Sequence, residues 1–223
     1  MAAIRAAGGA VVATPLTRSQ SLPVPTGELA AKLSGGDIDL VALTSARTID
    51  HLPAALRHEI AANQLPVACV GPATAAAASA AGFHVTVTGT SDATALAAAI
   101  GSGSGRVWLP CSALAKPTLA TQLRARGWHV NRTEVYTMTP VDQLDSDIVS
   151  AFHRGQFDAL VITSGSVSRA LVELVGHAGP GTALVTIGEP SARAVRAGGG
   201  IVAAIAPQPT PTGIVSALME VLS

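Results

Sequence analysis

The chain has 223 residues, 48% of them hydrophobic, 3% aromatic and 13% charged, with 14 Lys and Arg against 14 Asp and Glu. That length suits one large domain or two small ones, with a core filled by Ala and Val rather than aromatics. A formal net charge of zero excludes a chain-wide basic field for nucleic acid or an anionic membrane, and no apolar stretch reaches membrane-span length without a charge or a Gly/Pro break.

The start, MAAIRAAGGAVVATPL, reads as a helix end plus a strand, Val11–Pro15, rather than a signal peptide. In chain order, strands are then expected at Leu40–Thr44, Val67–Val70, His84–Thr88, Arg106–Pro110, Val130–Tyr136, Ala159–Thr163, Ala183–Ile187 and Ile201–Ile205. Most are short and apolar on both faces, as strands buried in a parallel sheet are. Helical patterns lie between them, such as Leu119–Arg126 and Ser166–Val175. This alternation implies doubly wound α/β sheets with right-handed crossovers. Cys69 and Cys111 have neither CxxC nor His partners at metal spacing, so no metal is expected. They read as buried free thiols in a reducing cytoplasm. Arg124, Arg126 and Arg132 form a local basic cluster, read as a solvated helix end. The six His show no informative pairing with Ser or Asp and read as surface or satisfied residues.

The chain contains an internal duplication. VACVGPATAAAASAAGFHV from Val67 is echoed by LVTIGEPSARAVRAGGGIV from Leu184, DLVALTSARTID from Asp39 by DALVITSGSVSR from Asp158, and IRAAGGAVVATPL from Ile4 by LRARGWHVNRTEVY from Leu123. Arg5 and Arg124, like Ser45 and Ser164, stand 119 residues apart, and Gly71 and Gly188 stand 117 apart. A period this long is a duplicated domain, not a solenoid repeat. GSGSG at Gly101–Gly105 marks the seam.

In each unit a strand ends in Thr-Ser (Ser45, Ser164), and another ends in Gly-x-x-Thr/Ser (Gly71 to Thr74, Gly188 to Ser191). Thr74 and Ser191 fall near helix N-termini, where free N–H groups and the dipole favour an anion. They also fit plain helix N-caps, and Ser45 and Ser164 fit strand-end turns. The glycines fit either a backbone need or close ligand approach. Strand C-terminal ends are where open α/β sheets bind ligands. Two such rims facing one another would hold many N–H and O–H donors and few fixed charges, which suits a large polyanion.

These stretches, with GWHVNRTEVYTMTP and the terminal PTPTGIVSAL, resemble uroporphyrinogen-III synthases from Ile4 onward. The resemblance implies two α/β domains joined by a two-stranded linker. Residues 19–129 would form an inserted domain, residues 1–10 and 138–223 a discontinuous second one, and 11–18 with 130–137 the linker, with crossing strands at roughly Val11–Leu16 and Val130–Thr137. It implies closure of linear hydroxymethylbilane, which bears eight carboxylates, into uroporphyrinogen III with inversion of the last ring, by a monomer with no cofactor. Tyr136, in the family's V-Y-x-x-x-P stretch, would donate a proton to the leaving hydroxyl. Substrate contacts are expected at Ser45, Ala46, Gly71, Thr74, Ser164, Ser166, Gly188 and Ser191. Lys116 would supply the charge usual in the turn after Arg106–Pro110. A non-catalytic tetrapyrrole- or anion-binding sensor of the same fold is the alternative. One departure concerns the family's opening strand. The 119-residue offset places the counterpart of Arg106–Pro110 before Met1. The expectation is a start codon placed too far downstream, with a genuine short form whose second domain is weakened as the alternative, and in the structure one parallel strand fewer beside Ala159–Thr163 than beside Leu40–Thr44 and only a helix tail over residues 1–8.

Overall fold

A computed structural model describes residues 1–90 and 92–222. The chain divides into two compact units, residues 1–18 with 138–223, and residues 19–137.

The chain opens with a one-turn helix, α1 (Ala2–Ala6), and the next regular element is β1 (Thr17–Ser21). The strand expected over Val11–Leu16 is not there; residues 11–15 form no regular element. Pro15 has no N–H to give to a ladder. The polar run Thr17–Ser21 forms the strand instead, alternating half-buried and exposed residues over its first four positions. It lies at the edge of its sheet, where one solvated face is tolerated and apolarity is a poor guide.

The unit of residues 19–137 continues with α2 (Thr26–Ser34), β2 (Leu40–Leu43), α3 (Arg47–His51), α4 (Ala54–Ala62), β3 (Pro66–Cys69), α5 (Pro72–Ala80), β4 (His84–Thr88), α6 (Ala93–Ile100), β5 (Arg106–Ser112), α7 (Thr118–Ala125) and β6 (His129–Pro140). Its sheet runs β1-β6-β5-β2-β3-β4, and the pairs from β6 through to β4 are parallel. Leu40 and Ala42 pack with Val107 and Leu109 against Leu96 of α6 and Leu119 and Leu123 of α7. Alternation along β2 turns Val41 and Leu43 to the opposite face; both are fully buried. Trp108 is also fully buried, and its indole N–H donates to Thr133 Oγ1 at 2.9 Å. The chain winds outward through β2, β3 and β4, then returns to place β5 on the other side of β2. The strand order therefore reverses between β2 and β5, and the carboxyl ends of those strands frame the crevice where such sheets bind ligands.

The unit of residues 1–18 and 138–223 adds α8 (Ser146–His153), β7 (Ala159–Ile162), α9 (Gly165–Val175), β8 (Ala183–Thr186), α10 (Glu189–Ala197), β9 (Val202–Ile205) and α11 (Pro211–Leu222). Its sheet is β7-β8-β9, parallel throughout. Phe152, Leu171, Val175 and Val195 cover one face with Ile162 and Leu184. Ala217 and Leu218 of α11, joined by Ile4 of α1, cover the other with Val185 and Ala204. The duplicated blocks align β7, β8 and β9 with β2, β3 and β4. Among the described residues no strand pairs with the outer edge of β7, where β5 pairs with β2 in the other unit.

Candidate substrate-binding rims

In the unit of residues 19–137 the candidate residues gather at the carboxyl ends of the strands. Ser45 and Ala46 follow β2 and lead into α3. Ser45 Oγ accepts from the N–H of Arg47 at 3.2 Å, a turn bond that leaves its own proton free. Gly71 is the N-cap residue of α5, and no side chain caps this helix. Thr74 is therefore not the N-cap; it lies in the first turn, buried at 6% exposure. The N–H of Ala75 returns to Gly71 O at 3.0 Å. Pro72 has no N–H, so those of Ala73 and Thr74 are the open donors of this helix.

Gly71 has φ −171° and ψ 174°, extended backbone that any residue adopts, and a Cβ there would come no nearer to its neighbours than 4.0 Å from Gly89 O. Neither conformation nor local packing requires this glycine. What its missing side chain leaves open is the space before the first turn of α5.

The other unit repeats the pattern with differences. Gly188, at φ 173°, is the N-cap residue of α10, again without a side-chain cap bond. A Cβ there would meet only Pro190 Cδ, at 3.8 Å. Ser191 is buried at 4% exposure and is not the N-cap either; its N–H bonds back to Gly188 O at 3.1 Å. Pro190 has no N–H, so only Glu189 presents an open one, and α10 is the poorer anion donor of the two helices. Ser164 does cap its helix, accepting from the N–H of Val167 at 3.2 Å, and its hydroxyl lies 2.9 Å from that of Ser166. The two serines form one small donor pair at the start of α9.

Tyr136 lies on β6 in register with Ser112, the last residue of β5, and is 5% exposed. Its ring stacks on His51, centroids 4.9 Å apart and planes within 16°, and His51 Nδ1 lies 2.8 Å from Ser21 Oγ. Of the two readings, surface or satisfied, His51 takes the second. Ser21 and His51 stand 30 residues apart and Tyr136 85 beyond His51; no spacing rule joins them, and only the placement of β1 and α3 beside β6 does. Arg132 is not part of a solvated helix end but lies on β6. It pairs with Glu134 at 2.6 Å and donates to the carbonyls of Ser112 and Ala115 at 3.2 and 3.3 Å. It therefore braces the turn after β5 from below, while Lys116 in that turn is exposed. The hydrogen bond to Glu134 raises the pKa of the Arg132 guanidinium further. Burial pushes the Cys111 thiol up and that of Cys69 to about 11, so both are poor nucleophiles near neutrality. They are free and buried. No group of three or more His, Cys, Asp or Glu among the described residues is arranged to hold a metal. An open cleft of about 580 Å³ lies at the other end of the strands, lined by Lys32, Asp37, Arg106 and Trp128; it shares no residue with the rim.

The family model for uroporphyrinogen-III synthase HemD matches residues 1–216. The chain belongs to the uroporphyrinogen-III synthase family. The fold agrees. A uroporphyrinogen-III synthetase from Helicobacter pylori superposes with a TM-score of 0.69 at 15% identity, covering 92% of this chain and 90% of that one. A mutant uroporphyrinogen III synthase from Thermus thermophilus superposes at 0.60 with 19% identity, covering 99% and 92%. No curated protein matches the chain. Among the described residues no helix is long and apolar enough to cross a membrane.

Proposed function

We propose that the protein closes hydroxymethylbilane into uroporphyrinogen III, with loss of water and inversion of the last ring, in tetrapyrrole biosynthesis. The family match over residues 1–216 carries this reading. The local geometry supports it: glycines that nothing in the fold requires stand before two helix N-termini, beside buried hydroxyls. Donors of this kind suit substrate carboxylates better than lysines would, because they are oriented and shed no large hydration shell on binding.

The chemistry asks little of the protein beyond placement. The pyrrole nitrogen of the first ring pushes hydroxide from its methylene carbon, giving an azafulvene. The substituted carbon of the last ring attacks it, a spiro intermediate forms and fragments, and the ring recloses inverted. Folding a flexible chain so that its two ends meet supplies most of the acceleration. Ser45, Ala46, Gly71 and Thr74 hold carboxylates in one unit and Ser164, Ser166, Gly188 and Ser191 in the other. Tyr136 gives its proton to the departing hydroxyl. The protein works as a cytoplasmic monomer on this small molecule, without a cofactor or nucleic acid.

The test is incubation with freshly prepared hydroxymethylbilane, followed by oxidation and separation of the porphyrin isomers. The III isomer in excess supports the synthase. The I isomer alone, which forms spontaneously, makes the protein a binder of the same fold.

A further inference from the structure

Three residues distant in sequence form one layered contact in the unit of residues 19–137. β1 brings Ser21, α3 ends on His51, and β6 carries Tyr136. The Ser21 hydroxyl engages His51 Nδ1 at 2.8 Å, which fixes the imidazole in its own plane. That plane lies nearly parallel to the Tyr136 ring, at 16°, with centroids 4.9 Å apart. The phenol takes no partner from the described side chains, and neither does His51 Nε2. The stack therefore stands at the strand ends beside the β2–β5 crevice with one face fixed by the protein.

We infer that His51 is a positioning residue for Tyr136 and that its protonated form is the effective one. This rests on the function proposed above. As the C–O bond of the substrate breaks, the phenol proton passes to the departing oxygen, which leaves as water. The pyrrole lone pair supplies the electrons of the new exocyclic C=C bond, and a phenolate remains. Its negative charge spreads over the ring that His51 covers. An imidazolium at this separation is within cation–π range of that ring and opposes the developing charge directly. The phenolate recovers a proton when the last pyrrole ring loses its own on closure, so the cycle balances and His51 keeps its proton throughout. Ser21 holds the imidazole flat.

Histidine is the side chain that ordinarily changes charge across neutral pH. The other charged and titratable groups here are Tyr136 with the Arg132–Glu134 pair on β6, Arg47 and Asp50 on α3 itself, and the buried Cys111 on β5, whose thiol burial pushes up. β1 contributes the Ser21 hydroxyl and also carries Arg18, which is paired with Asp142 at 2.7 Å. Support for the phenolate is thus present when His51 is charged and absent when it is neutral.

Tyr136 is the only tyrosine in the chain, so a ¹³C label on the tyrosine ring reports it alone. In the substrate-free parent its resonance is expected to change with pH. In His51→Phe, which keeps a stacked ring without a charge, it should stay flat. In the isomer assay His51→Phe should form the III isomer about tenfold more slowly at pH 6 and lose the decline toward pH 8. Tyr136→Phe should lose the same decline, because His51 acts only through the phenol. His51→Gln replaces His51→Phe if the larger ring fails to fold. A resonance that does not move in the parent, a His51 variant with the parent's pH profile, or a Tyr136→Phe variant that keeps the decline overturns the inference. A parent that titrates by NMR but makes no III isomer instead overturns the function it rests on.

Discussion

Replacing Gly71 by Ala separates a ligand-contact role from a structural one. At φ −171° an alanine needs no strained backbone, and its Cβ would sit 4.0 Å from the nearest atom, Gly89 O. Stiffening the unfolded chain stabilises by about 0.4–1 kcal/mol, and Ala is a poorer N-cap than Gly by roughly 0.5–1 kcal/mol. These offset one another, so the melting temperature should move by no more than about 2 °C for a chain of this size. Function should respond differently. The methyl enters the space before the open N–H groups of Ala73 and Thr74. Displacing a carboxylate from one of them forfeits a charge-assisted bond of about 1.5–3 kcal/mol, or roughly 10- to 150-fold in kcat/KM for the III isomer. Gly89→Ala is the control. Its Cβ would lie 2.9 Å from Val70 O and 3.1 Å from Leu96 Cα, and overpacking of that kind should cost about 1–3 kcal/mol. Differential scanning calorimetry and initial-rate isomer analysis on both variants test the argument. Gly71→Ala with the parent's kcat/KM, or melting as early as Gly89→Ala, would refute it.

Three further outcomes are expected. Tyr136→Phe should melt with the parent, because it retains the ring stacked on His51, yet form the III isomer about a hundredfold more slowly; an unchanged initial rate would leave Tyr136 a packing role only. Thr74→Val keeps the buried volume and removes the hydroxyl, and with Ser164→Ala or Ser191→Ala should cost about 0.5–1.5 kcal/mol each in apparent substrate affinity; one such change abolishing binding without altering the melt would contradict shared holding of the carboxylates. Cys69 has its pKa raised by burial from 9.0 to about 11, so the folded state keeps a proton that the unfolded state releases, and the stability from this group is complete below pH 9 and lost as pH rises toward 11; urea titrations across that range should show a shallower decline in Cys69→Ala than in the parent, the remainder coming from the buried Cys111, whose thiol is raised in the same direction.

The sequence alone determined the parallel α/β class. Runs such as Leu40–Leu43 and Ala183–Thr186 are apolar on both faces because they are buried on both, and burial of that kind needs no distant information to be visible. It also exposed the duplication, since copies keep the punctuation of Gly, Pro and hydroxyl residues where strands end. It failed at β1, a polar sheet edge, where solvent on one face removes the apolar signal. It could not say whether Thr74 and Ser191 cap their helices, because the apolar pattern leaves the first helical residue open by a turn; the structure puts the N-caps three residues earlier, at the glycines. Only tertiary structure could show that Gly71 has room for a side chain, since space is a property of what surrounds it. The same holds for Ser21, His51 and Tyr136, which come from three elements and carry no common spacing. Periodicity is local and survives in one dimension; the meeting of strand ends depends on strand order, which the chain acquires only when it folds.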